Sequence, residues 1–224
     1  MLYELRIYRA AYGRMPDLHA RFRDHTLTLF EKYGMTNVGY WLNTVGGHND
    51  ELWYLLAYQD MADRERAWKA FYVDPEWQKV FRESGANGPL TDWTDNRFLT
   101  PTDFSPADHG GPSDSPRLFE LRTYQANQDR MPELLARFRD HASKLFEKHG
   151  ITNVGYWTNA VGGRSDELLY MLAYPDMAAR EASWSAFAAD SDWQRIRVES
   201  NKNGNLVNHF SNRFLTATDY SPLR

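Results

Sequence analysis

The chain repeats itself after 116 residues, and this internal repeat constrains its fold more than any other feature. Four segments return without a gap: 14–16 at 130–132, 20–25 at 136–141, 36–41 at 152–157 and 96–100 at 212–216. A repeat of this length is a whole domain and not one unit of a solenoid. The unmatched stretch 107–116 is rich in Gly, Pro, Ser and Asp, which is typical of a linker. We therefore predict two domains, at 1–106 and 117–224, joined by that linker.

Hydrophobic patterns predict the same order of elements in each repeat. Period-two alternation indicates strands, and apolar residues three and four apart indicate helices. In the first repeat these patterns predict a strand at 2–9, a helix at 14–33, strands at 36–45 and 51–58, a helix at 60–72, a short helix that begins after Asp74, and a strand at 96–100. The order β-α-β-β-α-β, with a split second helix, is the ferredoxin-like arrangement.

One ferredoxin-like unit covers only one face of its sheet with helices, and the other face needs a partner. A second copy in the same chain can supply that cover. We therefore predict an α+β protein in which two tandem ferredoxin-like (βαββαβ) domains pack their sheets together as a barrel within one chain.

The composition supports a packed, aromatic-rich core, with 42% apolar residues, 8 Trp and 13 Tyr. The chain has no cysteine, which excludes disulfides and thiolate chemistry. Its net charge of −4 argues against a nucleic-acid partner. The first residues read directly into a strand without the features of a signal peptide, and no apolar run approaches the ~20 residues of a membrane span. We expect a cytoplasmic protein.

Several segments together resemble the NIPSNAP family. They are Tyr3–Tyr8, Phe30–Gly34, Val38–Trp41, Glu51–Tyr54 and Asp74–Trp77, and the resemblance extends over nearly all of both repeats. It implies the dimeric α/β-barrel superfamily. That superfamily includes small monooxygenases without cofactors, muconolactone-type isomerases, haem-binding and haem-degrading proteins, and proteins with no assigned activity. The resemblance supplies no catalytic signature for this sequence, and we assign no cofactor.

His25 and His141 are the candidate catalytic residues. Leu18, Phe22 and His25 follow one face of the first predicted helix, so the imidazole is expected to point into the space between helix and sheet. There it could act as a general base or a ligand. The alternative is a core histidine whose ring nitrogens are bound to protein groups.

Strand and aromatic residues form a second group of candidates. Arg6 and Tyr8 share a strand face with Glu4, an arrangement that suits an anionic or phenolic ligand. Cross-strand ion pairing is the structural alternative. The candidate ligand-binding residues are Arg6, Tyr8, Tyr40, Trp41, Arg122, Tyr124, Tyr156 and Trp157. Trp68, Trp77 and their counterparts Trp184 and Trp193 could wall a pocket or belong to the core.

Two classes of function stay open. The first is an enzyme that oxygenates or isomerises a small apolar or aromatic molecule without a bound cofactor. The second is a non-catalytic module that binds a small ligand or a protein. No metal site is expected, because no spaced His/carboxylate pair occurs in both halves. The halves differ most at 11–13 against 127–129 and at 89–95 against 205–211, and these loops either border unlike pockets or are exposed and drifted.

Overall fold

The structure, a computed structural model, describes residues 1–111, 113 and 115–224; positions 112 and 114 of the predicted linker lie outside the described residues. The first half contains β1 (Leu2–Ala10), α1 (Met15–Arg21), a π turn (Phe22–Thr26), α2 (Leu27–Lys32), β2 (Thr36–Val45), β3 (Glu51–Tyr58), α3 (Met61–Val73), α4 (Pro75–Ser84) and β4 (Thr91–Pro101). The second half contains β5 (Leu118–Ala126), α5 (Met131–Arg137), a π turn (Phe138–Ala142), α6 (Ser143–Lys148), β6 (Thr152–Val161), β7 (Glu167–Tyr174), α7 (Met177–Ala189), α8 (Ser191–Ser200) and β8 (Val207–Ala217).

The eight strands form one closed barrel in the order β1-β3-β2-β8-β5-β7-β6-β4. Each half supplies a four-stranded antiparallel sheet. The edge strands are β2 and β4 in the first half and β6 and β8 in the second half. Edge strand β2 pairs with β8, and β4 pairs with β6, both antiparallel. Pairing therefore removes every free sheet edge of the two halves, which an isolated ferredoxin-like unit would leave open. The predicted fold class is confirmed.

Side chains fill the barrel interior. Alternation along β1 directs Tyr3, Leu5 and Ile7 inward, where they join Trp41 and Trp157 in one buried cluster. Eight strands leave an interior just wide enough for side chains. The interior is therefore packed core, and the other face of each sheet carries its own aromatic core beneath the helices.

The segment after the last strand of each half packs against the opposite half. The backbone N–H of Thr102 donates to the carbonyl of Tyr156, and Ser105 Oγ accepts from the Tyr156 N–H at 3.0 Å. Thr218 and Ser221 make the same two contacts with Tyr40. The two tails thus fasten the halves to each other in addition to the strand pairing.

Most predicted elements are present, with one difference at the start of the last strand and one in the middle of the first helix. The last strand is longer than predicted, Thr91–Pro101 instead of 96–100, because its first part follows β1 in register. The second helix is split as predicted, and Asp74 caps α4 by accepting from the N–H groups of Glu76 and Trp77. The prediction of one uninterrupted first helix was wrong, because a π turn lies in its middle.

We predict that Gly155→Ala destabilises the protein by ~1–3 kcal/mol. The indole of Trp157 lies across Gly155 so closely that a Cβ there would overlap its ring, and overpacking of a core costs about this much. Urea denaturation measures the loss. The double variant Gly155→Ala/Trp157→Phe is the control, since the smaller ring makes room for the methyl group. A cost equal to the sum of the two single variants would contradict the overlap.

Candidate functional site

Arg6 on β1 and Arg122 on β5 lie in closed networks between sheet and helices. Arg6 donates to Glu4 at 2.5 Å, to the Tyr54 hydroxyl at 2.7 Å and to the Tyr8 hydroxyl at 3.1 Å. Arg122 makes the equivalent bonds to Glu120, Tyr170 and Tyr124 at 2.5, 2.8 and 3.3 Å. The carboxylate beside each arginine compensates its charge within the protein.

Glu4 is fully buried and is paired with two arginines. Arg64 of α3 donates to both of its oxygens, at 3.1 and 2.9 Å, and Tyr58 donates at 3.1 Å. Burial acts to raise the pKa of Glu4, but Arg64 and Arg6 outweigh burial and hold the pKa below its ordinary value. The ion pairs run along one strand and from strand to helix within a half. They hold α3 on the sheet and cross no boundary between the halves.

The predicted location of His25 and His141 was wrong. Both rings are exposed on the outer helix surface and do not face the sheet. The π turns Phe22–Thr26 and Phe138–Ala142 are the cause. A π turn inserts about one extra residue, so the inward position after Phe22 falls on Thr26 instead of His25. The catalytic assignment of these histidines depended on the inward location and loses that basis.

The predicted ligand-binding residues lie on two faces of the sheet. Trp41 and Trp157 point into the barrel, and Arg6 and Tyr8 lie beneath the helices, so they share no site. Tyr40 and Tyr156 are buried and stack on Tyr54 and Tyr170. Burial raises the pKa of both Tyr40 and Tyr156. Of the eight predicted residues, Tyr8 and Tyr124 line the pockets described next.

A pocket opens between the sheet and the helices in each half. The second-half pocket has a volume of about 380 Å³, and the first-half pocket about 190 Å³. The second-half pocket is lined by Tyr124, Arg137, Phe138, Ala142, Phe146, Trp184, Phe187, Ala188, Trp193, Arg197, Asn201, Asn205, Val207 and Phe210. The sequence left open whether Trp184 and Trp193 line a pocket or belong to the core. Both line this pocket.

The two pockets differ at five equivalent wall positions, three on or next to helices and two on the last strand of each half. Tyr72 of α3 corresponds to Ala188, Phe81 of α4 corresponds to Arg197, and Thr26 corresponds to Ala142. Loss of the Tyr72 ring alone removes a large side chain from the pocket mouth. On the last strand, Thr91 corresponds to Val207 and Thr94 to Phe210, so the divergent segment 205–211 also shapes the second-half pocket.

Arg137 is the polar residue that sequence reasoning missed. It ends α5, is only 7% exposed and lines the second-half pocket. Among the described residues its Nε has no hydrogen-bond partner, and its Nη1 reaches only the Ser200 hydroxyl at 3.4 Å. Arg21 is the equivalent residue of the first half, and its Nε is likewise without a partner in that part of the chain. The sequence did contain a pattern that indicates an inward-facing arginine, since Leu18, Arg21 and Phe22 share one helix face.

Burial lowers the pKa of Arg137, and the Tyr124 and Tyr170 phenols act in the opposite direction. An arginine stays charged even so. The pocket wall therefore holds a cation whose charge no described carboxylate pairs, whereas Arg122 nearby is paired with Glu120.

Two kinds of feature are absent from the described ranges, 1–111, 113 and 115–224. These ranges contain no group of three or more His, Cys, Asp or Glu positioned to hold a metal ion. None of their helices is long and apolar enough to cross a membrane.

Comparison of the sequence with known proteins identifies relatives of both halves. The NIPSNAP family model matches residues 3–106 and 119–222. Mouse protein NipSnap homolog 3B is 33% identical over 98 residues, which is 44% of this chain and 39% of the mouse protein. Human protein NipSnap homolog 3A is 33% identical over 76 residues, which is 34% of this chain and 30% of the human protein. The match thus spans less than half the length of either relative.

Three solved structures are similar to this chain to different extents. An uncharacterized NIPSNAP domain protein from Burkholderia xenovorans is 26% identical, covering 47% of this chain and 99% of that one, with a TM-score of 0.42. A monooxygenase-like protein from Lactobacillus acidophilus covers 100% of this chain and 98% of its own at 9% identity, with a TM-score of 0.60. An anthrone oxidase-like protein covers 97% of this chain and 91% of its own at 10% identity, with a TM-score of 0.58. At 9% and 10% identity, the likeness shows the fold alone.

We predict that replacing Arg122 lowers the stability of the protein far more than replacing Arg137, the other buried arginine of the second half. Arg122→Met leaves Glu120 partly unpaired in a buried site and should cost ~3–5 kcal/mol of stability. Arg137→Met removes an uncompensated charge and keeps the packing on Trp193, so it should cost less than ~1 kcal/mol or stabilise the protein. Urea denaturation of both variants tests this. A large loss for Arg137→Met would show that the charge of Arg137 is compensated in the folded protein.

We also predict that Glu120 contributes to stability at neutral pH and loses that contribution in acid. Burial acts to raise the pKa of Glu120, but Arg180, Arg122 and Asn212 hold it below 4.5. A lowered folded pKa stabilises the protein above the unfolded pKa, and the contribution disappears as the pH falls through the folded value. The difference in unfolding free energy between wild type and Glu120→Gln should therefore narrow from about pH 5 to about pH 3. A constant difference over that range would contradict the prediction.

Proposed function

The chain belongs to the NIPSNAP family, and we propose that this member binds a small aromatic molecule in its second-half pocket. The observation that carries the proposal is the pocket of about 380 Å³, walled by aromatic rings from the sheet and from three helices. Volumes of 300–1,000 Å³ with apolar walls and a few polar groups are typical of small-ligand sites.

The lining suits a flat ring system. Phe146, Phe187 and Trp184 form one aromatic group with ring centroids 4.9 to 5.5 Å apart, in which Trp184 meets both phenylalanines edge-to-face and the phenylalanines are tilted to each other. Trp193 lies 4.6 Å from Phe187 and extends the wall toward Arg137. Aromatic pairs prefer such edge-to-face and offset contacts, so an aromatic guest can continue the same packing. The polar groups are few, which leaves orientation of the guest to Tyr124, the two arginines and the asparagines.

Comparison of the two halves supports the interpretation of the second-half pocket as a ligand site and not as a packing defect. In the first half, Tyr72 and Phe81 occupy positions around the mouth and reduce the space to about 190 Å³. The same backbone can therefore be filled, and the second half carries smaller or polar residues at those positions. Trp184, Phe187 and Trp193 are nevertheless identical to their counterparts Trp68, Phe71 and Trp77.

Conversion of the bound molecule without a cofactor is a second candidate function. Tyr124 places a phenol on the pocket wall, where its hydroxyl accepts from Arg122 Nη2 at 3.3 Å. A positioned phenol that gives its proton to one atom of a ligand and recovers a proton from another atom completes an isomerisation, which needs no oxidant. The neighbours with monooxygenase-like and anthrone oxidase-like descriptions support the fold and leave the reaction to experiment. Binding of a ligand that is recovered unchanged after long incubation would reject this second function.

We predict that Ala188→Tyr lowers the affinity of the protein for 2-naphthoate or its neutral isostere 2-naphthamide by at least about 10-fold, because it restores the ring that closes the first-half pocket. Isothermal titration calorimetry measures the affinity and the number of sites. The matched variant Tyr72→Ala opens the first-half pocket and should raise the stoichiometry from one site toward two. If Ala188→Tyr binds both compounds as wild type does, or if wild type binds neither, the proposed site is wrong.

A further inference from the structure

We infer that the second-half pocket selects an aromatic carboxylate, whose carboxylate group pairs with the guanidinium of Arg137. This inference rests on the proposed function and specifies the ligand class of the same site. Its basis is the placement of Arg137 and the charges of the pocket wall.

The pocket wall carries two positive charges and no negative one. Arg137 lies inside and Arg197 at the exposed rim, and the wall residues include no Asp or Glu. The whole chain has a net charge of −4, so the positive charge of this pocket is opposite in sign to the net charge of the protein. The first-half pocket has one wall arginine, Arg21, since Phe81 occupies the position of Arg197. A second cation has therefore been placed at the pocket that also has the larger volume.

Arg137 is held in place without being paired. Its guanidinium carbon lies 5.6 Å from the centre of the Trp193 ring, and its Nη1 lies 3.4 Å from the Ser200 hydroxyl. Within the described residues no carboxylate lies within ion-pair distance of it, and Nε has no partner. A buried charge in such a state requires an opposite charge from outside the chain or water. A ligand carboxylate in the pocket would meet this requirement by pairing with the Arg137 guanidinium.

Arg122 is a buried arginine whose charge is paired within the protein, and it provides a comparison for Arg137. Arg122 bonds to Glu120 at 2.5 Å and to two phenols, and the same set recurs around Arg6 in the first half. Arg137 has two phenols nearby and lacks the acid. The missing acid is the chemical group that we assign to the ligand.

A carboxylate fits the geometry better than other anions. A planar guanidinium binds a planar carboxylate through two parallel hydrogen bonds, and one deep arginine matches a single negative charge. The aromatic walls require a ring system on the same molecule, as the proposed function states.

The test compares 2-naphthoate with 2-naphthamide, which has the same shape and no charge. We expect wild type to bind the carboxylate about 10- to 100-fold more tightly, as charge-assisted hydrogen bonds in a buried site allow. Arg137→Gln should remove this preference by weakening binding of the carboxylate and leaving that of the amide nearly unchanged. Arg21→Gln is the matched control and should keep the wild-type preference. Calorimetric titration gives all affinities, and far-UV circular dichroism confirms that the variants are folded.

The outcomes separate the two proposals. Equal binding of carboxylate and amide by wild type overturns the carboxylate assignment and leaves the proposed small-molecule site intact. A parallel loss of both ligands in Arg137→Gln also overturns the assignment, because it shows a packing role. If Arg137→Gln does not fold, the wild-type preference and the charge-retaining variant Arg137→Lys decide, and Lys should keep part of the preference. Failure of wild type to bind either compound overturns the proposed function together with the inference.

Discussion

Strand pairing between the two halves is the constraint on which the rest of the structure depends. Each half is a four-stranded sheet that by itself would have two free edges and would expose the apolar face that the barrel buries. The pairs β2–β8 and β4–β6 close the edges, and closure brings the two uncovered faces together as the barrel interior. Because eight strands leave room only for side chains, the interior fills with residues such as Trp41 and Trp157. The two pockets described above lie on the other face of the sheet, beneath the helices.

The outer face contains two kinds of buried arginine that serve different ends. Arg6 and Arg122 are paired with carboxylates, and their networks hold the helices α3 and α7 against the sheet through Arg64 and Arg180. Arg21 and Arg137 end the first helix of each half, and no described carboxylate forms an ion pair with them. Duplication preserved both kinds in both halves. The pocket walls have diverged around the unpaired kind, which is the pattern expected when one copy keeps a structural role and the other adapts a cavity.

The sequence was informative wherever local pattern decides the outcome. The alternation of Tyr3, Leu5 and Ile7 against Glu4 and Arg6 correctly separated the two faces of β1, because side chains in a strand alternate regardless of context. Asp74 was correctly identified as a helix cap, because the cap is satisfied by its own neighbours. The candidate site was predicted less well. Tyr8 and Tyr124 line the pockets beneath the helices, whereas Trp41, which was grouped with them, points to the other side of the sheet.

By itself, the sequence determined the duplication, the ferredoxin-like order of each half and the need of each sheet for a second one, since these follow from period, spacing and an uncovered face. Only the tertiary structure decided which helical residues face inward. The π turns shift the helix phase by about one residue, placing Thr26 and Ala142 inward and His25 and His141 in solvent. Such a shift is stabilised by the packing of the whole helix on the sheet, so no single residue type in the sequence predicts it. Tertiary structure likewise decided that Arg137 is unpaired, because the absence of a partner is a property of everything that surrounds a side chain in space.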